Sequence, residues 1–221
     1  MLFAALETST EWCSVALWRD GEIACAERRA PNGHAEFALP MLEDLFEKTE
    51  TNVTQLEAVA FAAGPGSFTG LRIACGLAQG LALARGLPVI GISTLEAMAE
   101  ETGASRVVAC IDARMHEVYY SALEKTGAEW REIVPAQCVA PGAALPPPGE
   151  GWVGCGNGFE AYPDFLKGKI SFLRTEVHPG AMGVARLAAP RLAAGKGMDA
   201  ALAAPFYLRD KVALKVAEQR R

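Results

Sequence analysis

The chain opens with short apolar runs separated by turn residues. Leu2 to Leu6 is apolar and closes at Glu7-Thr8-Ser9-Thr10. Cys13 to Trp18 is a second run ending at Asp20-Gly21, and Ile23 to Glu27 then alternates apolar with polar. Asp-Gly tolerates positive φ at both central positions of a two-residue hairpin, so the pattern predicts β-β-β. After Pro31-Asn32-Gly33 the period changes. From His34 to Lys48 the apolar residues Phe37, Ala38, Met41, Leu42, Leu45 and Phe46 recur at three and four, which predicts a helix. Ala58 to Ala63 reads as a buried strand and Gly64-Pro65-Gly66 as a turn, with Ser67 the N-cap of a helix to about Arg85. A strand over Pro88 to Ile92 and a helix over Thr94 to Glu101 complete a βββαβαβα series in the first hundred residues.

The opening then recurs. Val107 to Asp112 is a buried strand, followed by a tight turn at Ala113-Arg114 and a strand from Glu117 to Leu123. Setting Cys110-Ile111-Asp112 against Ala5-Leu6-Glu7 places one acid against another at an offset of 105 residues (7 to 112), each closing a strand. Such self-similarity suggests two related lobes. Pro135 to Gly151, with Pro141, Pro146, Pro147 and Pro148, reads as a surface loop. Trp152 to Cys155 reads as a strand and Gly156-Asn157-Gly158 as a turn. Pro179 to Leu192 reads as an alanine-rich helix, and Asp210 to Gln219 as a charged terminal helix.

Composition narrows the function classes. With 221 residues, 51% of them apolar, the chain is long enough for a substantial core without staples. Lys and Arg number 21 against 26 Asp and Glu, and the net charge of −5 has the wrong sign for a domain that wraps a phosphate backbone. The segment Arg209 to Arg221, with five basic and two acidic residues, is the local exception, and a solvated terminal helix is the plainer account of it. The first residues lack a positive n-region and carry a charge by Glu7, so neither a signal nor a transit peptide is expected. The richest apolar stretch, Gly76 to Ile92, is broken by Gln79, Arg85 and Pro88, and no membrane anchor is expected. Six scattered cysteines without a Cys-x-x-Cys pair suit a reducing compartment, so the expected location is cytoplasmic.

Two segments invite a chemical reading. Glu7, Thr8, Ser9 and Thr10 form a hydroxyl-rich turn of the kind that binds phosphate through backbone N–H groups, yet the turn lacks the glycine that close approach wants. A weak or vestigial phosphate loop is the expectation. Gly64-Pro65-Gly66-Ser67-Phe68-Thr69-Gly70 leads from a strand into a helix N-terminus, a place for an anion or for tight packing on a neighbour. It is no P-loop, because no lysine lies between Lys48 and Lys125. His34, His116 and His178 form no local zinc signature, and Ser67 sits in no nucleophile elbow. Gly76 and Gly80, beside Ala74 and Ala78, leave one helix stripe nearly bare, and the preceding helix has surplus apolar residues. Both suit helices that pack on a partner as well as on the core.

Several strings together resemble one family. Glu7-Thr8-Ser9-Thr10, Gly33-His34-Ala35-Glu36, Gly64 to Ile73, Ile111-Asp112-Ala113-Arg114 with Glu117-Val118-Tyr119, and Pro205-Phe206-Tyr207-Leu208-Arg209 resemble TsaB proteins across nearly the whole chain. The resemblance implies a two-lobed actin-like, ribonuclease H-like α/β fold with duplicated βββαβα lobes. The expected boundaries are residues 1–103 for the first lobe, with 205–221 packing back on it, and 104–204 for a smaller or degenerate second lobe. It also implies a non-catalytic partner of a TsaD-like threonylcarbamoyltransferase, making N6-threonylcarbamoyladenosine next to the anticodon of tRNAs.

The same resemblance carries cofactor and partner expectations. ATP and metal would sit on partner subunits, including a TsaE-like ATPase, and tRNA would be bound only through the complex. TsaD-like sequences place two metal-binding histidines four apart where this chain has Thr94 and Met98. The implied partner surface comprises His34, Phe37, Met41 and Leu45 on one helix. On the other it comprises Ser67, Phe68, Leu71, Gly76 and Gly80, the two helices forming a mostly apolar four-helix seam that also makes a homodimer when the chain is alone. A free-standing actin-fold phosphotransferase and a metallopeptidase-like enzyme are the alternatives.

Overall fold

The computed structural model describes residues 1–31 and 33–209. The expected helix over 210–219 therefore lies outside the described residues. The strands are β1 (Leu2–Glu7), β2 (Trp12–Arg19), β3 (Glu22–Arg29), β4 (Ala58–Gly64), β5 (Pro88–Ser93), β6 (Arg106–Arg114), β7 (Glu117–Thr126), β8 (Glu129–Val139), β9 (Trp152–Cys155), β10 (Ile170–Arg174) and β11 (Met198–Asp199). The α-helices are α1 (His34–Lys48), α2 (Phe68–Leu83), α3 (Thr94–Glu101), α4 (Gly158–Ala161) and α5 (Ala181–Ala193).

Two sheets share one topology. The first runs β11-β5-β4-β1-β2-β3 and the second β10-β9-β6-β7-β8. In each, the first strand pairs antiparallel with the second and parallel with the fourth, and the fourth pairs parallel with the fifth. The duplication read from Glu7 and Asp112 is thus a duplication of strand order. It is incomplete: a single 3-10 turn at Pro141–Ala143 stands where the first lobe has α1, and β11 at the edge of the first sheet has no counterpart in the second.

Five layers follow from which faces are apolar. On one side of the first sheet, α1 packs on β2 and β3 and α2 on β4 and β5, around Leu6, Val15, Leu42, Phe61 and Ala78. The other side of that sheet carries α5, which rests on β1, β2 and β4 and against α3; α3 in turn reaches β6 and β7. Small residues make that middle layer thin. A Cβ at Gly183 of α5 would overlap the Ala97 carbonyl of α3, and Glu101 Oε1 accepts the Gly183 N–H at 2.6 Å. Beyond the second sheet, Tyr120, Trp152, Phe159 and Phe165 close a separate cluster.

The expected lobe boundaries are corrected by this layering. α5 and β11 fall within 104–204, yet α5 covers the first sheet and Met198 pairs with Val89 of β5, so the chain returns to the first lobe well before residue 204. Residues 205–209 touch both lobes instead of packing on the first alone, as detailed below. Pro135 lies inside β8, where a loop was expected: β8 is an edge strand, and the register shift opposite Ser121 leaves Pro135 without a pairing partner. Gly158 opens the short α4 where a turn was expected. The Asp20-Gly21 hairpin holds as expected, with Arg19 opposite Glu22 and φ of 50° and 102°.

Candidate functional site

A cleft of about 780 Å3 lies between the lobes. Its first-lobe wall is built from Ser9, Thr10, His34 and the Pro65–Gly70 segment, and its second-lobe wall from Ile111 to Met115, Asn157 and Glu160. Phe206 to Arg209 complete the lining. The repeat therefore brings the two acids, Glu7 and Asp112, to the same region from opposite sides, although β6 runs two residues past Asp112: Arg114 pairs with Glu117, and the tight turn expected at Ala113-Arg114 lies at Met115-His116.

Each acid is already engaged by its own turn. Glu7 has no exposed surface, and its Oε1 accepts the Ser9 N–H at 2.5 Å. Asp112 Oδ1 accepts the Arg114 N–H at 2.9 Å, and its Oδ2 is paired with the Arg114 guanidinium at 3.0 Å. The relation is the same, a carboxylate on the amide two residues on. Burial pushes the Glu7 carboxyl up to about 7, against the opposing bond to Ser9. Within the expected phosphate loop over Glu7, Thr8, Ser9 and Thr10, the Ser9 amide is thus already engaged by the carboxyl of its own turn.

The glycine-rich segment proves to be a packing device. The Ser67 N–H donates to the Ser9 carbonyl at 2.7 Å, and Thr8 Oγ1 donates to the Gly70 carbonyl at 2.7 Å. A Cβ at Gly66 would lie 2.6 Å from Ser9 O, and one at Gly70 would overlap Thr8 O. Glycine at both positions lets the N-terminus of α2 seat directly on the β1–β2 turn. Ser67 caps the helix through Gly70 N at 3.4 Å, as its position before the apolar series predicted.

The residues expected at a partner surface separate into two groups. Gly76 and Gly80 are exposed, and a Cβ at either meets nothing within 4 Å. Phe37 and Met41 are half-buried, Ser67 is exposed and Phe68 half-buried beneath Arg72, whose guanidinium lies 3.8 Å from the ring centre. His34, Leu45 and Leu71 are buried, at 7%, 3% and 1% exposure; Leu45 belongs to the first lobe's own core, and these three are corrections to the expected contact set. Burial also holds the His34 imidazole below its ordinary value. The surplus apolar residues of α1 are explained the same way, since Leu42, Leu45 and Phe46 face inward while Glu36, Glu43, Asp44 and Glu47 face out. The open apolar strip lies on α2 beside Phe37 and Met41, and the outer face of α1 is acidic.

Thr94 and Met98 are fully buried on α3. Among the described residues no group of three His, Cys, Asp or Glu side chains stands close enough to hold a metal ion. The residues where metal-binding histidines would stand therefore supply a hydroxyl and a thioether in a packed layer, a donor set unsuited to a divalent metal. Two features had no local sequence signal: Asn157 Oδ1 accepts the Asp112 N–H at 3.0 Å, and Arg209 pairs with Glu117 from 92 residues away.

Two lobes of equal strand order around a cleft, with α3 and α5 packed between the sheets, define a two-lobed α/β protein of the actin-like type. A family model described as TsaD, tRNA N6-adenosine threonylcarbamoyltransferase, matches residues 28–215. The chain is 39% identical over 227 residues to the tRNA threonylcarbamoyladenosine biosynthesis protein TsaB of Escherichia coli K12, covering 97% of each. It is 38% identical to the TsaB of Haemophilus influenzae, over 96% of this chain and 94% of that one. A solved structure described as YeaZ from Pseudomonas aeruginosa superposes with a TM-score of 0.88 at 38% identity, covering 94% of this chain and 99% of that chain. A second, described as an uncharacterized protein with similarity to peptidase YEAZ from the same organism, gives 0.89 at 37% identity over the same shares. The chain belongs to the TsaB family.

Proposed function

We propose that this chain is the non-catalytic partner of a TsaD-like threonylcarbamoyltransferase in forming N6-threonylcarbamoyladenosine on tRNA. The observation that carries the reading is end-to-end similarity to proteins named for that biosynthesis, 39% identity over 97% of the chain. The cleft chemistry supports it from below. Both repeated acids are engaged by their own turns, and Thr94 and Met98 replace the histidines that a catalytic relative places on this helix. A phosphotransferase built on the repeated acids would need one of them free and the Ser9 amide open to phosphate, and a metallopeptidase would need ligands on α3.

The partner surface is the exposed Gly76 and Gly80 stripe of α2 with Phe37 and Met41 of α1 beside it. Bare backbone there admits another helix unusually close. The same stripe forms a homodimer when the partner is absent, which keeps the apolar strip covered. The four exposed carboxylates along α1 favour a partner that brings basic groups to that edge. A TsaE-like ATPase and tRNA join only in the assembly, and ATP and metal are held by the other subunits. Reconstituting tRNA modification from a TsaD-like protein and its ATPase, with and without this chain, tests the reading: modification should require the chain.

A further inference from the structure

The described end of the chain runs across the mouth of the cleft. On the first lobe, the Phe206 N–H donates to the Ala63 carbonyl at the end of β4 at 2.6 Å, and the Phe206 carbonyl sits where a Cβ at Gly64 would be. One residue on, Tyr207 Oη accepts from Arg72 Nε at 3.2 Å, and its ring stands 5.5 Å from that of Phe68. Two residues further, the contacts change lobe. Arg209 Nη1 donates to the Ala113 carbonyl at 3.0 Å, Nη2 donates to the Arg114 carbonyl at 3.3 Å, and the guanidinium is paired with the Glu117 carboxylate. The Arg209 side chain is 16% exposed, so this ion pair is better shielded from water than a surface one.

What Arg209 grips is a costly piece of backbone. Arg114, Met115 and His116 have φ of 60°, 56° and 60°, three successive left-handed residues without a glycine among them. Such a stretch persists where its surroundings over-determine it. Arg209 supplies donors to the carbonyls at its start and a charge to Glu117 at its end, while Asp112 fixes the Arg114 amide from the other side.

We infer that residues 205–209 are an interlobe clasp. Phe206 and Tyr207 fasten it to the first lobe and Arg209 to the second, so the cleft is held at one width and the 114–116 turn is kept in its left-handed form. Arg209 is a positioning residue, acting through the turn it holds. The five residues behave as one cooperative unit, because the two anchor points are too close in sequence for one to loosen alone.

The test compares the full chain with Arg209→Ala and Arg209→Lys by hydrogen exchange and by an interlobe distance. Lysine keeps the charge facing Glu117 but lacks the fork that serves two carbonyls. Spin labels on Thr69→Cys and Glu160→Cys, on opposite walls of the cleft, report its width in a background with Cys25 and Cys138 replaced by serine. The clasp predicts that Arg209→Ala speeds exchange about 10-fold or more both in the 114–118 amides and at the Phe206 amide, with β1 and residues 106–113 of β6 unchanged. It also predicts that the distance distribution gains a longer population. Lysine should restore only part of both effects. Faster exchange confined to 114–118, or an unchanged distance distribution, overturns the clasp. If Arg209→Ala loses protection throughout β1, the lysine variant is judged by the same criteria.

Discussion

Glu7 Oε1 accepts the backbone N–H of Ser9 at 2.5 Å in a site with no exposure to solvent. That one bond engages the very acid that marks the sequence repeat. A buried carboxylate held by an amide of its own turn is a structural element, and its cost is electrostatic.

The cost has a pH signature. Folded, Glu7 keeps its proton up to about pH 7; its ordinary value is 4.5. Between the two the folded state binds more protons, so this residue's contribution to stability falls as pH rises and is fully unfavourable above about pH 7. The span corresponds to up to about 3 kcal/mol. Glu7→Gln removes the titration while keeping an oxygen for Ser9. Urea unfolding should find the variant close to the parent near pH 4.5 and more stable by about 1–3 kcal/mol at pH 8. A difference that does not change with pH contradicts the burial argument.

Glycines at the N-terminal end of α2 and on its open face should respond oppositely. Gly70→Ala forces a methyl into the Thr8 carbonyl and Gly66→Ala one into Ser9, so each should destabilise the fold by about 2 kcal/mol or more. Gly76→Ala meets open space and gains helix propensity, so it should stabilise by about 0.5–1 kcal/mol. Thermal unfolding of the three variants checks the ordering.

The isolated chain should bind no stoichiometric divalent metal and show no appreciable ATP hydrolysis, given Thr94 and Met98 on α3 and a Ser9 amide already engaged by Glu7. Elemental analysis after dialysis and a phosphate-release assay are sufficient. One metal ion per chain, held by these residues, would refute the assignment.

With a net charge of −5, the chain alone should bind tRNA no tighter than the micromolar range at physiological salt. Filter binding at two salt concentrations measures this. Submicromolar binding by the isolated chain would place the tRNA surface here and not on the assembly.

Much of the fold was legible because its signals are local. The Asp20-Gly21 turn, the three-and-four spacing over His34–Lys48 and the Ser67 cap each specify an element without help from the rest of the chain. The acid near the end of β6, Asp112, marked the repeat for the same reason. Strands β8 and β10 were not legible. Pro135 disguises β8, which as an edge strand tolerates it, and Phe172 and Leu173 of β10 are exposed, so neither strand carries clean alternation. The return of α5 to the first sheet depends on small residues meeting Ala97 across the middle layer, a tertiary fact without sequence period. At the site, the spacing showed that the glycines in Gly64–Gly70 mattered but not that Ser9 and Thr8 were what they approach. Leu45 and Leu71 looked the same as surface apolar residues until the direction of each helix face was known.

In the proposed assembly, the TsaD-like partner docks on the bare stripe of α2. The measurement is the affinity of the purified chain for that partner by titration calorimetry, for the parent and for Gly80→Leu, with circular dichroism and thermal unfolding on both. Gly80 is exposed with open space beside it, so leucine should leave the chain folded. Binding should weaken by more than about 1 kcal/mol, about 5-fold in Kd, as the added side chain holds the partner helix away. A folded Gly80→Leu variant that binds the partner with unchanged affinity would contradict this docking.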